Sequence, residues 1–304
     1  MSTQQASFTA LMSAFIRGYH SRYDQPKIFD DFLAYDLLTE DEKTGIAKHL
    51  ANGLSFFAPE LTDIPPDQES ALAIVMRAMS ASLVLSRSRY TEDCLEKAIK
   101  NGVRQYIILG AGMDTFAFRR PELLTELTVF ELDHPATQAS KLERIRKQGW
   151  NHPSNLHFVP VDFQTKNLDA LLENPNYHPE QLSFFSWLGV SYYLTIDEVF
   201  ANLRVIAQIS PAESIIAFDY QDSDALIPEK TAERTKKMQQ LAQGTGEPMK
   251  SGFDPTLLAQ NFRMLGLHLR ENLSPCDIQQ RYFEGLDEGY YAFEHVHFAK
   301  AIIS

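Results

Sequence analysis

The sequence predicts an α/β protein: a seven-stranded, doubly wound, Rossmann-like sheet with an N-terminal helical cap. Three features carry that prediction. Residues 1–102 hold long apolar patterns at helical spacing and no convincing strand. From Arg104 onward, short β-rich apolar runs alternate with amphipathic stretches, as in a parallel sheet flanked by helices. The first of those runs ends in Gly110-Ala111-Gly112, the kind of turn that follows the first strand of such a sheet. The expected division is a cap over 1–102 and an α/β core over 103–304, the core carrying an insertion at about 221–265.

In the cap, Phe8, Leu11, Met12, Phe15 and Ile16 recur at helical spacing, and so do Ile28, Phe32, Tyr35 and Leu38. The Pro-rich stretch NGLSFFAPELTDIPPDQES then leads to Ala71–Leu85, apolar enough for a buried helix. A further helix over Thr91–Lys100 stops at Asn101-Gly102, a good C-cap pair. The expected strands of the core are Gln105–Leu109, Thr128–Leu132, Leu156–Val161, Leu182–Trp187, Ser214–Asp219, Leu267–Glu271 and Tyr291–Ala299. Helices are expected at Pro135–Lys147, Asp197–Ile209 and Pro255–Leu265, with a charged one at Pro228–Leu241 in the insertion. No internal repeat or low-complexity tract is present.

The chain has 304 residues and a 44% hydrophobic share, enough for a packed core. Its formal charge of -12 disfavours nucleic acid and anionic membrane partners, which need clustered Lys and Arg. Cys94 and Cys276 are far apart and form no CxxC, so neither a disulfide framework nor a metal site is expected. The expectation is a soluble, unprocessed, cytoplasmic protein, monomeric or homodimeric, acting on a small molecule.

Ligands of doubly wound sheets bind beyond the carboxyl ends of the strands, where glycines let the backbone approach closely. Gly110 and Gly112 fit, but a dinucleotide site usually has a third glycine where this chain has Thr115. Asp133 ends the second strand 21 positions after Gly112, near the offset at which an acid meets a ribose diol. Asp162 and Phe163 end the third, offering an acceptor for an adenine amino group and a backbone amide for a ring nitrogen. A lone GxG is commonly just a tight turn, and an Asp at a strand end is often a helix cap. The ordered set of three strand ends favours a bound nucleoside.

These residues resemble the class I S-adenosylmethionine-dependent methyltransferases, in their leucine carboxyl methyltransferase-like branch. The similar stretches are RYDQPKIFDDFLAYDLL, LSRSRYTEDCLEKAIKNGVRQYIILGAGMDTFAFR, VFELDHPATQASK, VPVDF and WLGVSYYLT, and more weakly EHVHFAKAI. The resemblance implies a sheet with one antiparallel strand, a helical lid, and S-adenosyl-L-methionine as methyl donor. It also implies that Arg87, or Arg89 at an offset of two, clamps the methionine carboxylate, and that the Gly110 carbonyl takes the amino group. Asp133 would hold the ribose and Asp162 with Phe163 the adenine, while Ala111, Gly112, Leu132 and Leu188 complete the cofactor-binding set. Leu188 stands where the eukaryotic enzymes have Glu, which points to the bacterial small-molecule branch and to O-methylation, in part in secondary metabolism.

For the transfer itself, His295 and His297 alternate on the expected last strand, which would turn both to one face of the sheet. They and Tyr220 are the candidate catalytic residues, with Tyr192 and Tyr193 as pocket walls and Tyr23 as a residue that could close over the cofactor. The rival readings are a NAD-dependent short-chain oxidoreductase and a non-catalytic nucleoside-binding protein. The first requires Tyr-x-x-x-Lys after the fourth strand. Here that spacing occurs only at Tyr23 to Lys27, in the cap and with Pro26 inside it.

Overall fold

In a computed structural model, residues 7–304 are described apart from 64, 66, 164–166, 245 and 287–288. The strands are β1 (Gln105–Leu109), β2 (Thr128–Asp133), β3 (Leu156–Pro160), β4 (Ser183–Trp187), β5 (Ile215–Gln221), β6 (Leu267–Leu273) and β7 (Val296–Ile303). They form one sheet in the order β3-β2-β1-β4-β5-β7-β6, parallel except for β7, which runs antiparallel to both β5 and β6. The order reverses on either side of β1, so the loops after β1 and β4 part there and leave a crevice at their carboxyl ends.

The helices are α1 (Phe8–Tyr23), α2 (Glu40–Asn52), α3 (Leu54–Phe57), α4 (Gln68–Ala78), α5 (Ala81–Lys100), α6 (Phe116–Arg119), α7 (Pro135–Gln148), α8 (Ile196–Ile209), α9 (Glu233–Gly244), α10 (Leu258–Arg263) and α11 (Pro275–Tyr282). Successive residues of each strand feed opposite faces. Tyr106 and Ile108 join the apolar cluster that includes α1 and α5, whereas Ile107 and Leu109 join the one that includes α8 and α10. Both faces being covered, β1 and β4 are buried along their whole length; Tyr106–Leu109 reads as an unbroken apolar or aromatic run, while the buried Ser183 and Ser186 of β4 are hydrogen-bonded to Gln105 and Tyr106 of β1.

Several expectations are corrected. The segment from Ile28 to Leu38 is not a helix; only a 3-10 turn, Ala34–Leu37, forms. There Asp30 binds Ser21 and Lys27, while Asp31 binds Arg17 and Thr115, so side-chain anchors replace helical hydrogen bonds. The apolar stretch from Ala71 breaks at Met79 and Ser80, where α4 and α5 meet at 59°, and no break separates Leu85 from Thr91. Helix α4 packs on α2 and α3, whereas α5 lies on β4, β5 and β7, and periodicity does not distinguish two partners from one. The last strand starts at Val296 rather than Tyr291. Arg234 takes the carbonyls of Tyr291 and Ala292, and Gln279 takes the Ala292 amide, so those backbone groups are not available to the ladder. In the insertion α9 begins five residues later than Pro228, and α10 is shorter than expected. Among the described residues no single helix is long and apolar enough to cross a membrane.

Candidate active site

The crevice opens into a cavity of about 620 Å³ bounded by the ends of β1 to β4, by α1 and α5, and by the insertion. Its floor is built from backbone. Gly110 has φ +74°, and a Cβ there would stand 2.4 Å from Val190 Cγ2, so no side chain fits that corner. The Gly110 and Ala111 amides donate to the Leu132 carbonyl at 2.8 and 3.1 Å, which ties the turn to β2. The Gly112 amide donates to Asp133 Oδ2 at 2.5 Å and the His134 amide to Oδ1 at 2.6 Å. Burial pushes the Asp133 carboxyl up, and those two amides pull against it. Each Asp133 oxygen is thus aimed by one backbone donor and keeps lone-pair capacity for a further hydroxyl.

Asp162 and Phe163 line the cavity beside Val161, whose amide donates to the Asp133 carbonyl. The Phe163 carbonyl accepts from Asn202 of α8, which fixes this corner from behind. Leu188 and Gly189 line it after β4. Leu132 itself is buried away from the cavity and serves the site through its carbonyl.

The structure separates the two arginines. Arg87 lines the cavity, and its Nη1 donates to Asp219 Oδ2 at 2.9 Å. Burial pulls the guanidinium down, and the Asp219 carboxylate more than offsets it. Arg89 faces out, 51% exposed, and pairs with Asp93 instead.

The roof comes from distant parts of the chain. In α1, Arg17 donates to Asp31, Ser13 and the Met113 carbonyl, and Ala10 sits over Gly112. Ser7 and Thr9, at the start of α1, donate to the two oxygens of Glu247 in the insertion at 3.2 and 2.9 Å. The lining also carries apolar side chains from the cap, the insertion and the segment before β7, among them Phe57, Met79, Leu83, Met238, Met249 and Phe293.

The three candidate catalytic residues do not line the cavity, which corrects the expectation for His295, His297 and Tyr220. His295 precedes β7 with φ +66° rather than lying on it, so strand alternation does not relate it to His297. Its Nδ1 lies 2.9 Å from Asp222 Oδ1, and its Nε2 accepts the Ala232 amide at 3.1 Å. An amide can only donate, so Nε2 offers its lone pair, Nδ1 carries the proton, and the ring is a neutral clip holding the insertion. His297 stacks on Tyr220 at 5.1 Å with Nε2 3.5 Å from Asp222. Tyr220 is fully buried and donates to Asn272, and burial holds its phenol protonated. Tyr192 and Tyr193 do line the cavity; Tyr23 is 59% exposed and does not. Among the described residues no group of three His, Cys, Asp or Glu is placed to hold a metal.

Asp219, Gly189, Arg17 and Glu247 were not singled out by sequence. Asp219 carried the same signal as Asp133 and Asp162, an acid closing an expected strand.

The family model described as leucine carboxyl methyltransferase matches residues 10–207. A Bacillus subtilis (strain 168) protein, named as a candidate S-adenosyl-L-methionine-dependent methyltransferase, is 40% identical over 304 residues, 99% of each chain. A Parafrankia protein with the same description is 30% identical over 226 residues, 74% of this chain and 66% of that one. Among solved structures, a DUF574 family protein from Streptomyces avermitilis superposes with a TM-score of 0.59 at 13% identity, covering 99% of this chain and 98% of its own. A Thermobifida fusca protein, likewise titled a candidate methyltransferase, gives 0.57 at 12% identity, over 100% and 96%. These two support the fold alone. The family model and the full-length relative, taken with the strand-end cavity, place the chain in the leucine carboxyl methyltransferase family, as an S-adenosyl-L-methionine-dependent methyltransferase.

Proposed function

We propose that the enzyme transfers a methyl group to an oxygen of a small, largely apolar molecule, with a carboxylate as the preferred acceptor. The residues present fit the cofactor. Glycine at 110 lets Val190 close against the turn and glycine at 189 leaves room for the Arg87 guanidinium that lines the cavity, and about 620 Å³ lies within the usual size of small-molecule sites. In this reading Asp133 holds the ribose hydroxyls, Asp162 and Phe163 frame the adenine, Arg87 meets the methionine carboxylate, and the Gly110 carbonyl takes its amino group. When bound, S-adenosyl-L-methionine supplies an electrophilic methyl whose carbon–sulfur electron pair returns to sulfur as the acceptor lone pair forms the new bond.

The protein's work is then to hold the acceptor in line and keep water out. The apolar side chains of the lining suit an apolar skeleton, and the contacts of α1 with the insertion join two parts of the wall. The observation that carries the carboxylate preference is the state of the facing phenols. Burial pushes Tyr193 up to about 12, and burial, with the Asp219 carboxylate adding to it, pushes Tyr192 well above its ordinary value. Neither phenol is ionised at neutral pH, so neither supplies a base to an alcohol, whereas an acceptor that arrives ionised needs none. The acidic chain also favours a small molecule over a nucleic acid, and we place the enzyme in the cytoplasm, in small-molecule secondary metabolism.

The test is a matched panel of apolar carboxylic acids, phenols and alcohols of common skeleton, offered with labelled methyl donor. Ester formation with a rate nearly flat from about pH 6 to 9 is expected. Methylation confined to phenols or alcohols, rising with pH, would overturn the carboxylate preference.

A further inference from the structure

We infer that Asp219 is a positioning residue for the cofactor's amino-acid end, acting through Arg87; the inference rests on the carboxylate role given to Arg87 above. Asp219 is 0% exposed in β5, two residues before its end, and three donors, one from α5 and two from the loop after β4, converge on its carboxylate. Arg87 Nη1 of α5 reaches Oδ2 at 2.9 Å, the Tyr192 hydroxyl reaches the same oxygen at 2.5 Å, and the Gly189 amide reaches Oδ1 at 2.7 Å. The Asp219 carbonyl also accepts from the Ser191 hydroxyl, so the loop after β4 is bound to β5 at both levels.

The Nη end of the guanidinium abuts Gly189. A Cβ at that glycine would lie 2.6 Å from Nη2 and 2.7 Å from Nη1. With Nη1 committed to Asp219 and one side pressed on Gly189, the remaining donors of Arg87 are left to the cavity it lines. An arginine side chain is long and rotamer-rich, so presenting a fork at one fixed place needs an anchor for part of it. Asp219 is that anchor. Its charge also leaves the pair neutral overall, which matches an amino-acid end carrying both an ammonium and a carboxylate better than it would match a polyanion.

The role separates from mere support of the fold by comparing two ligands that share the adenosine. S-adenosylhomocysteine carries the amino acid, and 5′-methylthioadenosine lacks it. In Asp219→Asn, titration calorimetry should show S-adenosylhomocysteine weakened about tenfold to a hundredfold, the scale of one charged hydrogen bond, with 5′-methylthioadenosine within about twofold of wild type. Equal loss for both ligands, or loss for neither, would overturn the inference. If Asp219→Asn does not fold, Tyr192→Phe decides in the same way, with an expected selective loss of about twofold to fivefold. Arg87→Ala tests the underlying reading separately. If that variant loses both ligands equally, the carboxylate role of Arg87 fails; if it discriminates and Asp219→Asn does not, only the role of Asp219 fails.

Discussion

The floor and the roof of the cavity are fastened by different means. On the floor, residues at successive strand ends hold one another through the backbone: Gly110 and Ala111 on the Leu132 carbonyl, Gly112 and His134 on the Asp133 carboxylate, Val161 on the Asp133 carbonyl. On the roof, side chains do the fastening across long stretches of chain, as in Thr9 with Glu247 and Arg17 with Met113. A strand end belongs to the sheet, so the floor moves only if the sheet does. The roof can part while both of its halves stay folded. Changes to the floor should therefore strike ligand affinity and stability together, and changes to the roof should strike exchange rates first.

The largest effect is expected from Gly110→Ala. A left-handed φ costs a non-glycine residue about 1–2 kcal/mol, and forcing a methyl against Val190 adds about 1–3 kcal/mol. Denaturant titration should show both terms, and S-adenosylhomocysteine binding should fall sharply. Adding Val190→Ala should return the steric part and leave the backbone part. Full recovery in the double variant would mean that φ at this corner is not constrained, and the floor would lose its rigid character.

Next in size is Asp133→Ala, expected to cost about 1.5–3 kcal/mol of affinity for both S-adenosylhomocysteine and 5′-methylthioadenosine, since both carry the ribose. Calorimetry with the two ligands checks it. A loss confined to the first would move Asp133 away from the sugar.

This difference in fastening explains what the sequence could disclose. Strand β1 lies where it was expected, because residues buried on both faces leave an unbroken apolar run and the turn after it needs glycine. Asp133 and Asp162 stood out because they sit at strand ends a fixed distance along the chain. Arg87 with Asp219 spans 132 positions and Thr9 with Glu247 spans 238, and no local pattern records such pairs. The histidines misled for a related reason. Alternation assumes a regular strand, but Arg234 and Gln279 occupy the backbone of 291–292 and His295 turns left-handed, so the geometry was set from outside the segment.

Smaller than either floor variant is Glu247→Gln. It weakens the hydrogen bonds from Ser7 and Thr9, a change of about 0.5–1.5 kcal/mol, without touching the sheet. Stopped-flow displacement of S-adenosylhomocysteine should show dissociation accelerated about threefold to tenfold at an unchanged denaturation midpoint. A lowered midpoint with unchanged dissociation would make the latch part of the fold and erase the contrast with the floor.

The smallest effect lies at the joint between the two. Glu42 of α2 accepts from Arg144 of α7 at 2.7 and 2.6 Å and from the Thr39 amide at 2.8 Å, so one carboxylate caps α2, whose His49 and Leu50 line the cavity, and ties it to the helix that follows Asp133. The Arg144 hydrogen bonds draw this carboxyl from 4.5 down to about 2, against the opposing pull of partial burial. Its folded pKa is below its unfolded one, so its contribution is present above about pH 4.5 and is lost as the pH falls toward 2. Solvent reaches the pair, with 27% of the Glu42 side chain exposed, which limits the contribution to about 0.2–1 kcal/mol. Wild type and Glu42→Gln should therefore differ in denaturation midpoint at neutral pH and converge as the pH drops through that window. A difference that persists at low pH would assign the tether to packing of α2 on the core rather than to charge, and the roof would then be joined to the floor by the same kind of contact that lines its interior.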